Sequence, residues 1–88
     1  MKMVMAVIMK PDTDAVLDAL MENGYRTTRL ASTGGFLREG NTTLLIGVED
    51  AQVTPLVDLL QRTVRARNAN AGRRGAVFVL PLESFARL

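Results

Sequence analysis

The residues best equipped to do chemistry in this chain fall in one run, Thr33-Gly34-Gly35-Phe36-Leu37-Arg38-Glu39-Gly40-Asn41-Thr42-Thr43. Glycines carry no side chain, so the backbone N–H and C=O groups around Gly34 and Gly35 can come close to a ligand. Phe36 and Leu37 put apolar surface where a connecting segment is usually polar. Asn41, Thr42 and Thr43 add neutral donors and acceptors of the kind that read a base edge. Arg26, Arg29 and Arg38 supply charge that can pair with phosphate. An apolar platform, an amide and a guanidinium together suit a purine nucleotide. Taken singly, the same residues have plainer uses, because a Gly-Gly pair makes a turn and a phenylalanine anchors a core. The residues alone leave both uses open.

The rest of the chain narrows the chemistry by what it lacks. It has no cysteine and no histidine. That excludes disulfide scaffolds, thiolate or imidazole metal sites, Ser–His and Cys–His nucleophile pairs, and histidine acid–base catalysis. Carboxylate and lysine chemistry stay formally open. Asp14, Asp18 and Glu22 recur every fourth residue, which on an amphipathic helix makes a solvated face rather than a catalytic pair. The arginines Arg62, Arg65, Arg67, Arg73 and Arg74 crowd one stretch of a chain whose net charge is only +2. They fit either a solvated loop or contact with an anion.

These groups need elements to hold them. Lys2 to Met9 is β-branched and apolar on both alternating sets, the pattern of a strand covered on both faces. Asp12 or Thr13 offers a cap for a helix whose apolar stripe is Val16, Leu17, Leu20 and Met21, and Asn23-Gly24 closes it in the left-handed manner. Tyr25 to Ala31 reads as a second strand, Ser32 to Asn41 as a glycine-containing connection, and Thr42 to Val48 as a third strand. A second helix starts near Glu49-Asp50 with the stripe Val53, Leu56, Val57, Leu60 and Val64. Its cap is either Asp50 or Thr54, the second choice placing Pro55 at the favoured first position. Arg65 to Gly75 reads as a loop, Ala76 to Pro81 as the last strand, and Leu82 to Leu88 as a tail.

The order β-α-β-β-α-β is the split βαβ, ferredoxin-like plan of the α+β class: a four-stranded antiparallel sheet with two helices on one face. At 88 residues the expected organisation is a single domain over residues 1–88. The hydrophobic fraction is 48%, yet no apolar run approaches the ~18 residues of a membrane span. Lys10, Pro11 and Asp12 cut short the apolar start, which reads as a first strand in a cytoplasmic protein rather than a leader. The third and fourth strands are also apolar on both sides: Leu44/Ile46/Val48 against Leu45/Gly47, and Val77/Val79 against Phe78/Leu80. A two-layer fold would leave one such face in water, far more apolar surface than monomers expose. Burial against copies of the same chain is the simplest resolution, and a small domain gains stability by it.

The run RTTRLASTGGFLREGNTTLLIGVED resembles the PII-like cyclic-di-AMP receptors, whose pattern is Arg-x-Thr-x-Leu-x-Thr-Thr-Gly-Gly-Phe-Leu-Arg-x-Gly-Asn-Thr-Thr. It matches at Arg26, Thr28, Leu30, Thr33 to Arg38 and Gly40 to Thr43, with Ser32 standing for one threonine. The opening Met-Lys-Met and the closing VFVLPLESF are similar to the family's ends. The resemblance implies a bacterial, cytoplasmic, non-enzymatic signal-transduction protein: a PII-like homotrimer with one cyclic-di-AMP, or a related adenine nucleotide, at each subunit interface. It implies no cofactor or metal, and a downstream protein that the sequence does not name. By the same resemblance Gly35, Phe36 and Leu37 line an adenine pocket and Asn41 reads a base edge. Arg26 and Thr28 meet ribose or phosphate, and Gly47 and Phe78 pack from the adjoining strands. Two features depart from the family. The connection after the second helix, long in the family and part of the ligand's cover, shrinks here to Arg67–Gly75. Arg87 stands where the family has a glutamine near the ligand.

Three other readings remain at the level of sequence. A degenerate PII-like trimer would keep the assembly and lose the nucleotide. A ferredoxin-like nucleic-acid-binding module would stack bases on aromatics of the central strands, where this chain has Thr42, Thr43, Leu44 and Leu45 instead. An acylphosphatase-like enzyme would need an arginine in a phosphate-cradling loop after the first strand, which Met9-Lys10-Pro11-Asp12 does not supply. The expectation is a binding protein without catalysis.

Overall fold

The structure, a computed structural model, describes residues 1–30, 41–67, 75–84 and 86. Strand β1 (Lys2–Met9) is followed by α1 (Thr13–Glu22), β2 (Thr28–Leu30), β3 (Asn41–Val48), α2 (Val53–Arg67) and β4 (Ala76–Pro81). The sheet order is β2-β3-β1-β4, with every neighbouring pair antiparallel. This is the expected α+β, ferredoxin-like arrangement. None of the helices in the described residues is long and apolar enough to cross a membrane.

Strand alternation decides what each face does. On β1 the even positions Val4, Ala6 and Ile8 are buried, and on β3 so are Leu44, Ile46 and Val48. The ladder sets Val4 opposite Ile46 and Ala6 opposite Leu44. Val16 and Leu20 from α1 and Leu56 and Leu60 from α2 complete one core with them, so both helices cover the same face. Full burial of each such aliphatic side chain contributes roughly 1.5–3 kcal/mol. Asp14, Asp18 and Glu22 are exposed on the far side of α1, the solvated face their spacing predicts. Met21, expected in the apolar stripe, is instead 75% exposed. It follows Leu20 by one residue, about 100° round the helix from the line of Val16 and Leu20 that faces the sheet.

The helix ends follow from local chemistry. Gly24 takes φ +78°, its N–H donates to the Met21 carbonyl at 3.1 Å, and the Tyr25 N–H donates to the Leu20 carbonyl at 2.9 Å. These two bonds are a Schellman cap, and only a residue that tolerates the left-handed region completes it cheaply. Tyr25 then packs against the core. The cap shortens β2 from the expected Tyr25–Ala31 to Thr28–Leu30. The Tyr25 amide is already spent on α1, and ladder pairing begins only at Thr28 opposite Leu45; Ala31 lies outside the described residues. Before α2, neither Asp50 nor Thr54 is the cap. Glu49 takes that place, its N–H donating to Gln52 Oε1 at 2.9 Å in a reciprocal capping box around a turn of 3-10 helix at Asp50–Gln52. Helix α2 itself begins at Val53, so Pro55 falls in its first turn, where proline is tolerated. Helix α2 also runs on through Arg67, past the loop start read at Arg65. Arginine and alanine are good helix formers, and cations suit the negative end of the helix dipole.

The other sheet face carries Met3, Met5, Val7, Leu45 and Gly47, with Phe78 and Leu80 of β4 beside them. As the pattern predicts, this face is apolar. Phe78 is 48% exposed and Leu80 45%, and Val79, on the helix side of the same strand, is 44% exposed. Strand β4 is thus poorly covered on both of its faces.

Candidate functional site

The open face holds a cleft of about 590 Å3 lined by Met1, Met3, Arg26, Thr27, Thr28, Leu45 and Gly47, a volume in the range of small-molecule sites. Its floor comes from the ladder: Met3 is paired with Gly47, and Leu45 stands between Met5 on one side and Thr28 on the other. Gly47 is what keeps the floor low. A Cβ built there would meet nothing within 4 Å, so the fold leaves room for a side chain that the sequence omits. One wall is Arg26–Thr28, delivered by the Schellman cap. Arg26 is exposed and forms no hydrogen bond or ion pair with any described residue. A guanidinium held beside an apolar floor is available for an anionic group. The Thr27 hydroxyl is buried without a hydrogen-bond partner among the described residues.

The opposite wall is Met1, fixed at two points. Its carbonyl accepts from the Leu82 N–H at 3.1 Å, and its ammonium lies 3.0 Å from Asp50 Oδ1. The hydrogen bond from that ammonium, and secondly its charge, hold the Asp50 carboxyl below the usual carboxylate range. Burial opposes the shift slightly and Lys2 adds to it.

The residues named from sequence divide into groups. Arg26, Thr28 and Gly47 meet in the cleft. Asn41 shares their sheet face but begins β3 opposite Met9. At the rise of an antiparallel strand it is roughly 20 Å from Gly47. Phe78 is opposite Met5 on β4, three strands from Thr28, or about 14 Å at the usual strand spacing. Gly35, Phe36 and Leu37 lie outside the described residues, as do Arg38, Arg73, Arg74 and Arg87. Met1, Met3, Thr27 and Leu45 line the cleft without having been singled out. The signal for Met3 and Leu45 was present in the alternation that puts them on the face of Gly47.

A profile of the cyclic-di-AMP receptor family matches residues 1–74, which takes in the cleft, Asn41 and the whole Gly34–Thr43 run. The chain belongs to the cyclic-di-AMP receptor family. The match ends just before Gly75 and β4. Among solved structures, a functionally unknown protein from Pediococcus pentosaceus ATCC 25745 superposes with a TM-score of 0.76 at 27% identity. The alignment covers 99% of this chain and 96% of that one, so no long insertion separates the two. A chain of this family thus shares its fold with a protein of nearly equal length.

Proposed function

We propose that this chain is a non-enzymatic receptor binding cyclic-di-AMP, or a related adenine nucleotide, between neighbouring subunits of a homotrimer. Membership of the receptor family supports the ligand. One observation supports the placement between subunits: Asn41 and the Arg26–Gly47 cleft occupy opposite ends of a single sheet face. No base or phosphate can touch both ends of one chain. A contact in which the Asn41 end of one copy meets the cleft end of the next is head-to-tail, and such contacts form a ring when the rotation between copies closes. The apolar face of Met5, Leu45, Phe78 and Leu80 is the surface that ring would cover.

The chemistry of each end suits its share of the ligand. The cleft offers a guanidinium for phosphate and an apolar floor for a sugar edge or base. The Asn41 end offers an amide for the base, with Gly35, Phe36 and Leu37 adjoining it in sequence. The bound trimer is then read by a second, cytoplasmic protein.

The test is a calorimetric titration of the purified protein with cyclic-di-AMP, using cyclic-di-GMP and ATP as comparators, alongside light scattering for mass. Binding selective for cyclic-di-AMP at one ligand per subunit, on a particle three times the chain mass, is the expected result. A trimer that takes up no ligand would favour the degenerate-scaffold reading. Binding by a monomer would overturn the shared site.

A further inference from the structure

We infer that Gly24 and Tyr25 are positioning residues, which act on the ligand through Arg26; the inference rests on the proposed binding function. Arg26 and Thr27 line the cleft but belong to no ladder, because pairing of β2 starts at Thr28 opposite Leu45. The sheet therefore does not orient them. Their direction is set at the other end, by the two bonds of the α1 cap, Gly24 N–H to Met21 at 3.1 Å and Tyr25 N–H to Leu20 at 2.9 Å. Asn23 reinforces that turn, its Nδ2 donating to the Ala19 carbonyl at 2.7 Å. Tyr25 adds a ring packed on the core, one residue before the guanidinium. The wall of the cleft rests on a two-residue span, Arg26-Thr27, stretched between this cap and the first ladder pair.

The cap depends on Gly24 holding φ +78°, while a Cβ at that position meets nothing within 4 Å. A side chain there collides with nothing and acts through backbone conformation alone. Alanine disfavours the left-handed region, whereas asparagine visits it readily. Gly24→Ala should loosen the aim of Arg26 without touching ligand, floor or core. Lysine at position 26 reaches phosphate as a flexible point charge, so its contact depends less on backbone direction.

The experiment is calorimetric titration with cyclic-di-AMP of wild type, Gly24→Ala and Gly24→Asn, each repeated in an Arg26→Lys background. Gly24→Ala is expected to weaken binding by about five- to tenfold and Gly24→Asn by less than about twofold. In the Arg26→Lys background the alanine effect should shrink to about twofold or less, since residues acting through one another are not additive. An equal loss in both backgrounds would overturn the inference, as would no loss in either. Amide exchange on the unliganded protein makes the same test independent of any ligand. Faster exchange in Gly24→Ala at Arg26, Thr27 and Thr28, in excess of the rise across β1 and β3 that lowered stability gives, supports positioning. A uniform rise with no excess at those three residues would mean lowered stability only, and would overturn it. Failure of wild type to bind cyclic-di-AMP would count against the receptor reading, with the exchange data still deciding the role of Gly24.

Discussion

Asn41 and Gly47 sit on the same face of β3, six positions apart, so roughly 20 Å of extended strand separates them. The sequence resemblance leads one to expect both at the ligand, and Gly47 lines the cleft with Arg26 and Thr28. A rigid strand cannot fold back to join its own ends. On the proposed function, the two ends act either on separate ligands or together through a second copy of the chain.

Mixing two defective variants distinguishes these cases. Asn41→Ala damages one half-site and Gly47→Leu the other, so neither homotrimer should bind cyclic-di-AMP. Trimers reassembled from an equal mixture contain interfaces with both intact halves. Random assembly gives roughly a quarter of interfaces in that state, and titration should recover about that fraction of wild-type stoichiometry. Mixtures that stay as inactive as their parents would show that both residues act within one chain.

Gly47 offers a second, sharper test, because fold and function make opposite demands on it. Glycine inside a strand costs about 0.5–1 kcal/mol relative to alanine. Nothing stands within 4 Å of a Cβ at this position. Gly47→Ala should accordingly raise the unfolding free energy by about 0.5–1 kcal/mol in denaturant titration while lowering affinity for cyclic-di-AMP. A loss of affinity accompanied by equal loss of stability would mean that Gly47 is needed for packing, not for the space it leaves.

Arg26 should contribute through charge. A hydrogen bond to a charged group is worth about 1.5–3 kcal/mol, so Arg26→Ala should weaken cyclic-di-AMP binding by roughly ten- to a hundredfold. Because Arg26 is exposed, its contribution is screened by salt. Wild-type affinity should fall as ionic strength rises, and that of the variant should fall less. Parallel salt curves for the two proteins would remove Arg26 from the phosphate contact.

Much of the fold is legible in the sequence. The two-faced apolar pattern of Lys2 to Met9, the Asn23-Gly24 stop and the Ala76–Pro81 strand all appear where local chemistry puts them, and together they define the topology. Sequence overextended β2 because Tyr25 to Ala31 is a fair strand by composition, while the cap bond from Tyr25 to Leu20 is a backbone event with no signature beyond the preceding glycine. It ended α2 too early because Asn68, Asn70 and Gly72 drew the loop back over Arg65 to Arg67. The structure brings Arg26, Thr28 and Gly47 together in one cleft, while Asn41 of the same motif stands a strand's length away. A motif is written in one dimension, and residues adjacent in it can face different subunits. Met1 and Met3 escaped notice because an apolar side chain in a cleft looks, in sequence, like one in a core.

Gly75 tests how β4 is joined to the sheet. It adopts φ +86°, and a Cβ there would run into the Val7 carbonyl oxygen, on the residue paired with Ala76. Gly75 thus differs from Gly24, whose site is equally left-handed but open. Left-handed backbone costs a non-glycine residue about 1–2 kcal/mol, and displacing packed backbone adds about 1–3 kcal/mol. Gly75→Ala should then destabilise the protein by at least about 2 kcal/mol, which for a domain this size lowers Tm by roughly 10 °C or more. Gly24→Ala, with strain and no collision, should lie nearer 1 kcal/mol. Calorimetric melting of the two variants side by side checks the ordering. Equal shifts would mean that β4 can move away from Val7 at little cost, as a strand poorly covered on both faces could do if the neighbouring subunit did not hold it in place.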